Sequence, residues 1–276
     1  MRALSFIFAL FLFSSNSQAV IGGRIDDSAD TAVIQIALSG NSYCTATKIG
    51  KDLLLTAAHC FNQDSKLIGF SSKVQNAKFE FFELKAQDII IHPSYLDLGD
   101  DTRYEDSLTV FDMSLVKVVP TSEFEKLSVM EMDFNVVSPG EELSFVGYGC
   151  EGSVNNLDGY IPRRKIARST SLALSALLLP HGIMSEFYGE ISDEIYKFNI
   201  LTPGNKMEPR YASLCYGDSG GPILKNDKLV GINSSYTFSD ITSSGGTQTG
   251  VSKINLHSRL SQVEEWIKSQ IEKLDK

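Results

Sequence analysis

Three separated segments of the chain each offer a side chain suited to nucleophilic catalysis. Leu53-Leu54-Leu55-Thr56-Ala57-Ala58-His59-Cys60 is an apolar strand that runs into small residues and then a histidine. Val110-Phe111-Asp112-Met113-Ser114-Leu115-Val116 sets one acid inside a largely apolar stretch. Gly217-Asp218-Ser219-Gly220-Gly221-Pro222 surrounds a serine with backbone-permissive residues, and Ser234 follows the apolar run Leu229 to Ile232. A serine hydroxyl attacks poorly unless a base takes its proton as the new bond forms. Neutral imidazole accepts and returns a proton near neutral pH, which is the use His59 would have. A carboxylate in an apolar run needs a partner to be tolerated. His59 would supply one for Asp112, and Asp112 in turn would fix the imidazole tautomer and stabilise the imidazolium. The glycines around Ser219 leave the Gly217 and Ser219 amides able to face a developing oxyanion; one such donor lowers a barrier by about 3–4 kcal/mol.

Taken singly, a histidine after Ala-Ala, an acid in a strand and a Gly-Asp-Ser-Gly turn each have a structural explanation. Together, in the order His, Asp, Ser and each inside matching flanking residues, they resemble the chymotrypsin/trypsin-like serine proteases. The resemblance runs from Val20 to the C-terminal end. It implies an all-β fold of two six-stranded antiparallel β-barrels with a C-terminal α-helix. It also implies an endopeptidase with His59, Asp112 and Ser219 as its triad and Gly217 and Ser219 as its oxyanion donors. Ser234 would hydrogen-bond to Asp112. A catalytically silent, protease-shaped binding protein is the competing reading, but such homologues usually lose one of the three residues that this chain keeps.

The resemblance carries further expectations. The base of the primary specificity pocket falls at Ser213, six residues before Ser219, where a preference for Lys or Arg would need an acid. Leu214, Ser234, Ser235, Tyr236 and Gly250 fall at other pocket positions, with Tyr236 bulkier than usual, so an uncharged P1 residue is expected. Cys44 and Cys60 match the bridge that pins the histidine loop. Cys150 and Cys215 lack their usual partners, and a Cys150–Cys215 bridge is expected instead, since two free thiols are the less common state of an exported protein. Members of the family are activated when a cut frees a small apolar N-terminus that inserts and pairs with the acid before the nucleophile. Here those residues are Val20 and Asp218, in the setting Val20-Ile21-Gly22-Gly23. Residues Phe70 to Phe82 hold a single acid, Glu80, where some relatives bind calcium, and calcium prefers several oxygen ligands. No Cys/His cluster has metal spacing, so no metal and no cofactor is expected.

The elements that must position these residues read as many short strands: Val33 to Leu38, Leu53 to Thr56, Lys78 to Leu84, Ile89 to Ile91, Leu115 to Val119, Leu143 to Val146 and Leu229 to Ile232, punctuated by Gly, Pro, Asn, Asp and Ser. Val263, Trp266, Ile267 and Ile271 fall at helical spacing instead, with Ser261 and Glu264 as a capping box. Arg2, the apolar run Ala3 to Phe13 and small residues at Ser17 and Ala19 make a signal peptide over residues 1–19, too short to span a bilayer. Ala19 precedes Val20, so signal cleavage itself would release the active N-terminus. The peptidase domain then covers residues 20–276: an N-terminal barrel over about 20–130, a C-terminal barrel over about 131–257 and a helix over about 258–276. Thr121 to Gly140 is the candidate linker.

In 276 residues, 42% hydrophobic and 21% charged, there is enough apolar material for a full core. The net charge of −9 argues against phosphate-backbone binding. The one basic cluster, Arg163-Arg164-Lys165, reads as a solvated face. The expected partner is a protein or peptide substrate, with no nucleic acid and no membrane after signal cleavage. The protein would be a monomer, secreted or periplasmic.

Overall fold

The computed structural model describes residues 20, 22–26, 31–61, 65–73, 79–97, 109–149, 164–173, 193–204, 212–238 and 253–274. Two curled antiparallel sheets dominate it, each built around its own apolar interior. The N-terminal sheet takes β2 (Val33–Leu38), β3 (Ser42–Lys48), β4 (Leu53–Thr56), β5 (Leu67–Lys73), β6 (Phe79–Glu83), β7 (Lys85–Ile91) and β10 (Ser114–Val119) in the order β6-β5-β2-β3-β4-β10-β7. The C-terminal sheet takes β11 (Glu142–Gly147), β12 (Lys165–Thr170), β13 (Asn199–Gly204), β14 (Pro222–Lys225), β15 (Lys228–Phe238) and β16 (Lys253–Arg259), with β1 (Arg24–Ile25) at its edge. Its order is β1-β12-β11-β14-β15-β16-β13. A two-residue pair, β8 (Leu96–Asp97) with β9 (Thr109–Val110), stands apart.

Among the described residues each sheet has seven strands, one more than the six expected. In the C-terminal sheet the short strand is β1, from a stretch that chain order alone assigns to the other half. Arg24 and Ile25 pair with Ile166 and Lys165 across the divide. The interiors are made by runs buried along their length: all six residues of β2 and all four of β4 are buried. Strands covered on both faces lose the alternation of a half-exposed strand.

The linker is not loose. It contains the short helix α1 (Ser122–Glu125), capped by the Thr121 side chain, and buries Phe124, Leu127 and Met130 in the N-terminal core. The buried Lys48 amine donates to the Phe124 and Leu127 carbonyls at 2.8 and 3.0 Å and lies over the Phe124 ring. Beyond the short helix α2 (Asp193–Phe198), the terminal helix α3 spans Glu264–Leu274. It starts later than the expected residue 258 because Ser258 and Arg259 are strand, paired with Ile232 and Gly231. Ser261 lies within a 3-10 turn, Leu260–Gln262, that precedes the helix.

Candidate active site

β4 ends at Thr56, and the chain then makes a single 3-10 turn, Ala58–Cys60, that lifts His59 out of the core. A disulfide joins Cys60 to Cys44 on β3, so the turn is tied to the strand beside it. The Ser114 hydroxyl secures the same turn by donating to the Ala57 carbonyl at 3.1 Å. Asp112 sits just ahead of β10 and is fully buried. Its Oδ1 accepts from the His59 amide at 3.0 Å and its Oδ2 from His59 Nδ1 at 2.7 Å. An ionised carboxylate only accepts, so Nδ1 carries the proton and the imidazole lone pair is on Nε2. Burial by itself would raise the Asp112 pKa. The charge of His59 and the hydrogen bonds from His59 and Ser234 outweigh it and hold the carboxyl below the ordinary carboxylate range.

The string of hydrogen bonds does not stop at Asp112. Ser234 donates to Asp112 Oδ2 at 2.5 Å, which leaves its own oxygen to accept from Thr109 Oγ1, also at 2.5 Å. Ser235 Oγ is 3.3 Å from Thr109 Oγ1, and Asn199 Nδ2 holds the Thr109 carbonyl at 2.8 Å. Thr109 lies in no motif, and only its place three residues before Asp112 could have drawn attention to it. Phe111, next to Asp112, has φ +52°. That left-handed conformation costs a bulky residue energy, and surrounding contacts must hold it. His92 stacks on the Phe111 ring at 4.5 Å, Phe198 packs on it at 4.2 Å, and Trp266 of α3 meets the edge of His92 at 4.7 Å. His92 is thus part of the packing that holds the Asp112 loop, and burial pushes its pKa down.

The second half of the site is the loop from Ser213 to Gly221. Gly217 and Gly220 have φ +91° and +80°. A Cβ on Gly220 would stand 2.0 Å from Thr56 Oγ1 and 2.3 Å from the Thr45 carbonyl, so only glycine fits there. Thr45, on β3 of the opposite half, grips this loop twice: its hydroxyl donates to the Gly217 carbonyl at 2.6 Å and its amide to the Ser219 carbonyl at 2.8 Å. With both carbonyls held, the Gly217 and Ser219 amides have no backbone acceptor among the described residues. Thr45 is a second position that sequence motifs did not single out. Asp218 is fully buried between these residues; Oδ1 accepts from the Gly149 amide at 2.8 Å and Oδ2 from the Cys215 amide at 2.9 Å. Ser219 itself is half-buried, as is His59.

A polar network underlies the loop. Asn233 Nδ2 donates to the Val146 and Asp218 carbonyls at 2.9 and 3.2 Å, so its Oδ1 accepts from His257 Nδ1 at 3.0 Å. His257 Nε2 then accepts from the Thr202 hydroxyl at 3.0 Å. Asn255 Nδ2 reaches Thr202 Oγ1 and the Ala212 carbonyl, and its Oδ1 takes the Leu214 amide at 2.9 Å. His257 is neutral here, its pKa lowered by burial to about 3.

Ser213 is fully buried, and its hydroxyl has no hydrogen-bond partner. Leu214, Ser234 and Ser235 are buried and Tyr236 is partly so. Gly250 lies outside the described residues. The residue paired with Tyr236 on the neighbouring strand is Asn255, which sequence reading passed over because it stands in a polar-looking strand. Cys215 is disulfide-bonded, and its expected partner Cys150 lies outside the described residues. Val20 is buried in the C-terminal core with Leu143, Phe145, Ala167 and Leu214. Cys44, His59 and Cys60 lie close together, but the two sulfurs are bonded to each other and offer no thiolate to a metal.

A buried carboxylate orients the His59 imidazole, and the glycine-framed loop of Ser219 packs at Gly220 against Thr56 and Ala57, which lead into the histidine turn of a two-sheet all-β scaffold. The profile of the trypsin family matches residues 21–171 and 184–267. The chain belongs to that family, the trypsin-like serine proteases. It is 25% identical over 234 residues to anionic trypsin of Bos taurus, covering 83% of this chain and 84% of that protein. It is 23% identical over 230 residues to trypsin of Sarcophaga bullata, covering 77% and 78%. The structure of neuropsin, a serine protease expressed in the limbic system of mouse brain, superposes with a TM-score of 0.61 at 19% identity, covering 90% of this chain and 98% of that one. Among the described residues no helix is long and apolar enough to cross a membrane.

Proposed function

We propose that the chain is an exported serine endopeptidase that hydrolyses peptide bonds of protein substrates through His59, Asp112 and Ser219. The observation that carries this reading is the Ser235–Thr109–Ser234–Asp112–His59 string, with Gly220 of the Ser219 loop packed against Thr56 and Ala57 just ahead of His59. In the proposed reaction Ser219 Oγ attacks the scissile carbonyl as His59 Nε2 takes its proton. Asp112 stabilises the imidazolium, and the Gly217 and Ser219 amides receive the oxyanion. The tetrahedral intermediate collapses when His59 gives its proton to the leaving amine, which leaves an acyl group on Ser219. Water, deprotonated by His59, attacks that ester in the same manner, and the acid product and free Ser219 result.

Activation follows signal-peptide removal at Ala19–Val20. The freed Val20 amine pairs with Asp218 and sets the loop between Cys215 and Ser219, which the Cys150–Cys215 bridge also restrains. Two features support this: Val20 is already buried beside Leu214, and its φ of +41° is strained for a β-branched residue. Cutting the bond before Val20 removes that dihedral altogether. N-terminal sequencing of the exported protein should begin at Val20.

The P1 side chain meets a neutral pocket. Ser213 would leave a lysine or arginine head without a counter-charge, and Tyr236 with Asn255 narrows the space in front of it. Peptides that differ only at P1 test this. With Ala or Ser at P1, kcat/KM should exceed that with Arg by about tenfold or more; fastest cleavage after Arg would overturn the pocket reading.

A further inference from the structure

Two members of the basic cluster that reads as a solvated face, Arg164 and Lys165, are buried. Arg164 is 3% exposed and Lys165 5%, and Arg164 Nε lies 2.8 Å from Asp26 Oδ2. The Asp26 amide also donates to the Arg164 carbonyl at 3.0 Å, directly continuing the pairing of Arg24–Ile25 with β12. By contrast, the ion pairs Lys228–Glu131 and Lys268–Glu264 lie at the surface.

We propose that Asp26 and Arg164 form a latch: a positioning pair that holds the amino-terminal segment down so that Val20 stays seated beside the Asp218 loop. This rests on the reading that Val20 is the mature N-terminus. Apart from the backbone pairing of β1 with β12, little among the described residues holds the segment between the latch and Val20. Both β1 residues are exposed, with Ile25 at 44%, so the strand contributes few apolar contacts of its own. Gly22 and Gly23 give a turn, closed by the Gly23 amide on the Val20 carbonyl at 2.7 Å, that would flex freely if untethered.

The placement of the latch gives it leverage. Arg164 directly precedes β12, whose neighbour β11 runs into Gly147-Tyr148-Gly149. Those glycines wrap Asp218, and a Cβ on Gly147 would stand 2.0 Å from Asp218 Oδ1. A tether six residues from the amine makes insertion a local event at high effective concentration, not a search by a free chain end. A buried ion pair also specifies one arrangement more strictly than apolar packing does, because separating its partners strands a desolvated charge. The latch thus shifts the population between a seated, competent state and an unseated one, without touching substrate.

The test compares processed wild-type protein with Asp26→Asn, Arg164→Met and Arg164→Lys. Each is treated with cyanate, and carbamylation of the Val20 amine is followed by mass spectrometry; active sites are titrated in parallel with a burst substrate. Asp26→Asn and Arg164→Met should expose the amine to cyanate at least about tenfold faster. They should lower the titratable fraction by a similar factor and leave KM unchanged, whereas Arg164→Lys should recover part of both. Wild-type rates of carbamylation and a full titratable fraction in Asp26→Asn and Arg164→Met would overturn the latch. If instead the wild-type amine reacts as fast as that of a short peptide and activity survives, the insertion of Val20 itself is refuted. A variant too unstable to assay is replaced by Arg164→Lys, which keeps the charge. Wild-type amine protection together with a reduced titratable fraction in that variant would also contradict the latch.

Discussion

The two halves of the molecule hold the residues proposed for catalysis by different means. The N-terminal half presents His59 and Asp112 from an apolar interior, with β2 and β4 wholly buried and one disulfide pinning the histidine turn. The C-terminal half presents Ser219 from a loop supported by buried polar groups: Asn233, His257, Thr202 and Asn255, each hydrogen-bonded to the next or to the loop backbone. Apolar packing tolerates small changes of shape. A directional network does not, because each lost partner leaves a buried donor or acceptor unsatisfied. On the proposed reaction, the half that would aim the Gly217 and Ser219 amides at one oxyanion is the half built on directional bonds.

That contrast can be broken from either side. The largest effect is expected in the C-terminal half. Asn255→Leu strands the Leu214 amide and the Ala212 carbonyl, at a cost of about 4 kcal/mol in stability, and it should lower kcat/KM as well. Removing the N-terminal restraint with Cys44→Ala/Cys60→Ala should cost less, about 3 kcal/mol for a loop of this size. Urea titrations and peptide assays on both variants check the order. A disulfide variant that is the less stable of the two would reverse the comparison.

The smallest effect, read per unit of pH, sharpens the comparison through titration. Unfolded, His257 takes up a proton near its ordinary value of 6.5; folded, only near about 3. Between those values the unfolded chain binds more protons, so the stability contribution is complete above about pH 6.5 and is lost as the pH falls toward 3. The slope is about 1.4 kcal/mol per pH unit from this residue. His92 acts in the same direction, and Asp112 adds to it below the ordinary carboxylate range. Midpoints of urea unfolding between pH 7 and 4 measure it, and His257→Gln should flatten the curve.

The same contrast explains what was legible in the sequence. β2 and β4 were readable to the residue because burial on both faces writes a mostly apolar run, broken only by Gln35 in β2 and Thr56 at the end of β4. β16 was not, since Lys253-Ile254-Asn255-Leu256-His257-Ser258-Arg259 looks half-exposed although residues 254–259 are all buried. Asn255, His257 and Arg259 belong inside because partners on β13, β15 and the Ser213 loop accept or donate their hydrogen bonds, and those partners are distant in sequence. Arg164 misled for the same reason: its counter-charge, Asp26, directly follows a strand that crosses from the other end of the chain. His59, Asp112 and Ser219 could be picked out because each sits among local neighbours of diagnostic type. Thr45, Thr109 and Asn255 could not, because they act only through contacts made by the fold.

The most direct measurement is covalent labelling of the processed protein with an active-site-directed phosphonate, followed by mass spectrometry of its peptides. A single phosphonyl adduct on the peptide containing Ser219, lost in His59→Ala, is the predicted result. Folded protein that begins at Val20 and forms no adduct at Ser219 would contradict the proposal that this chain is a working serine endopeptidase.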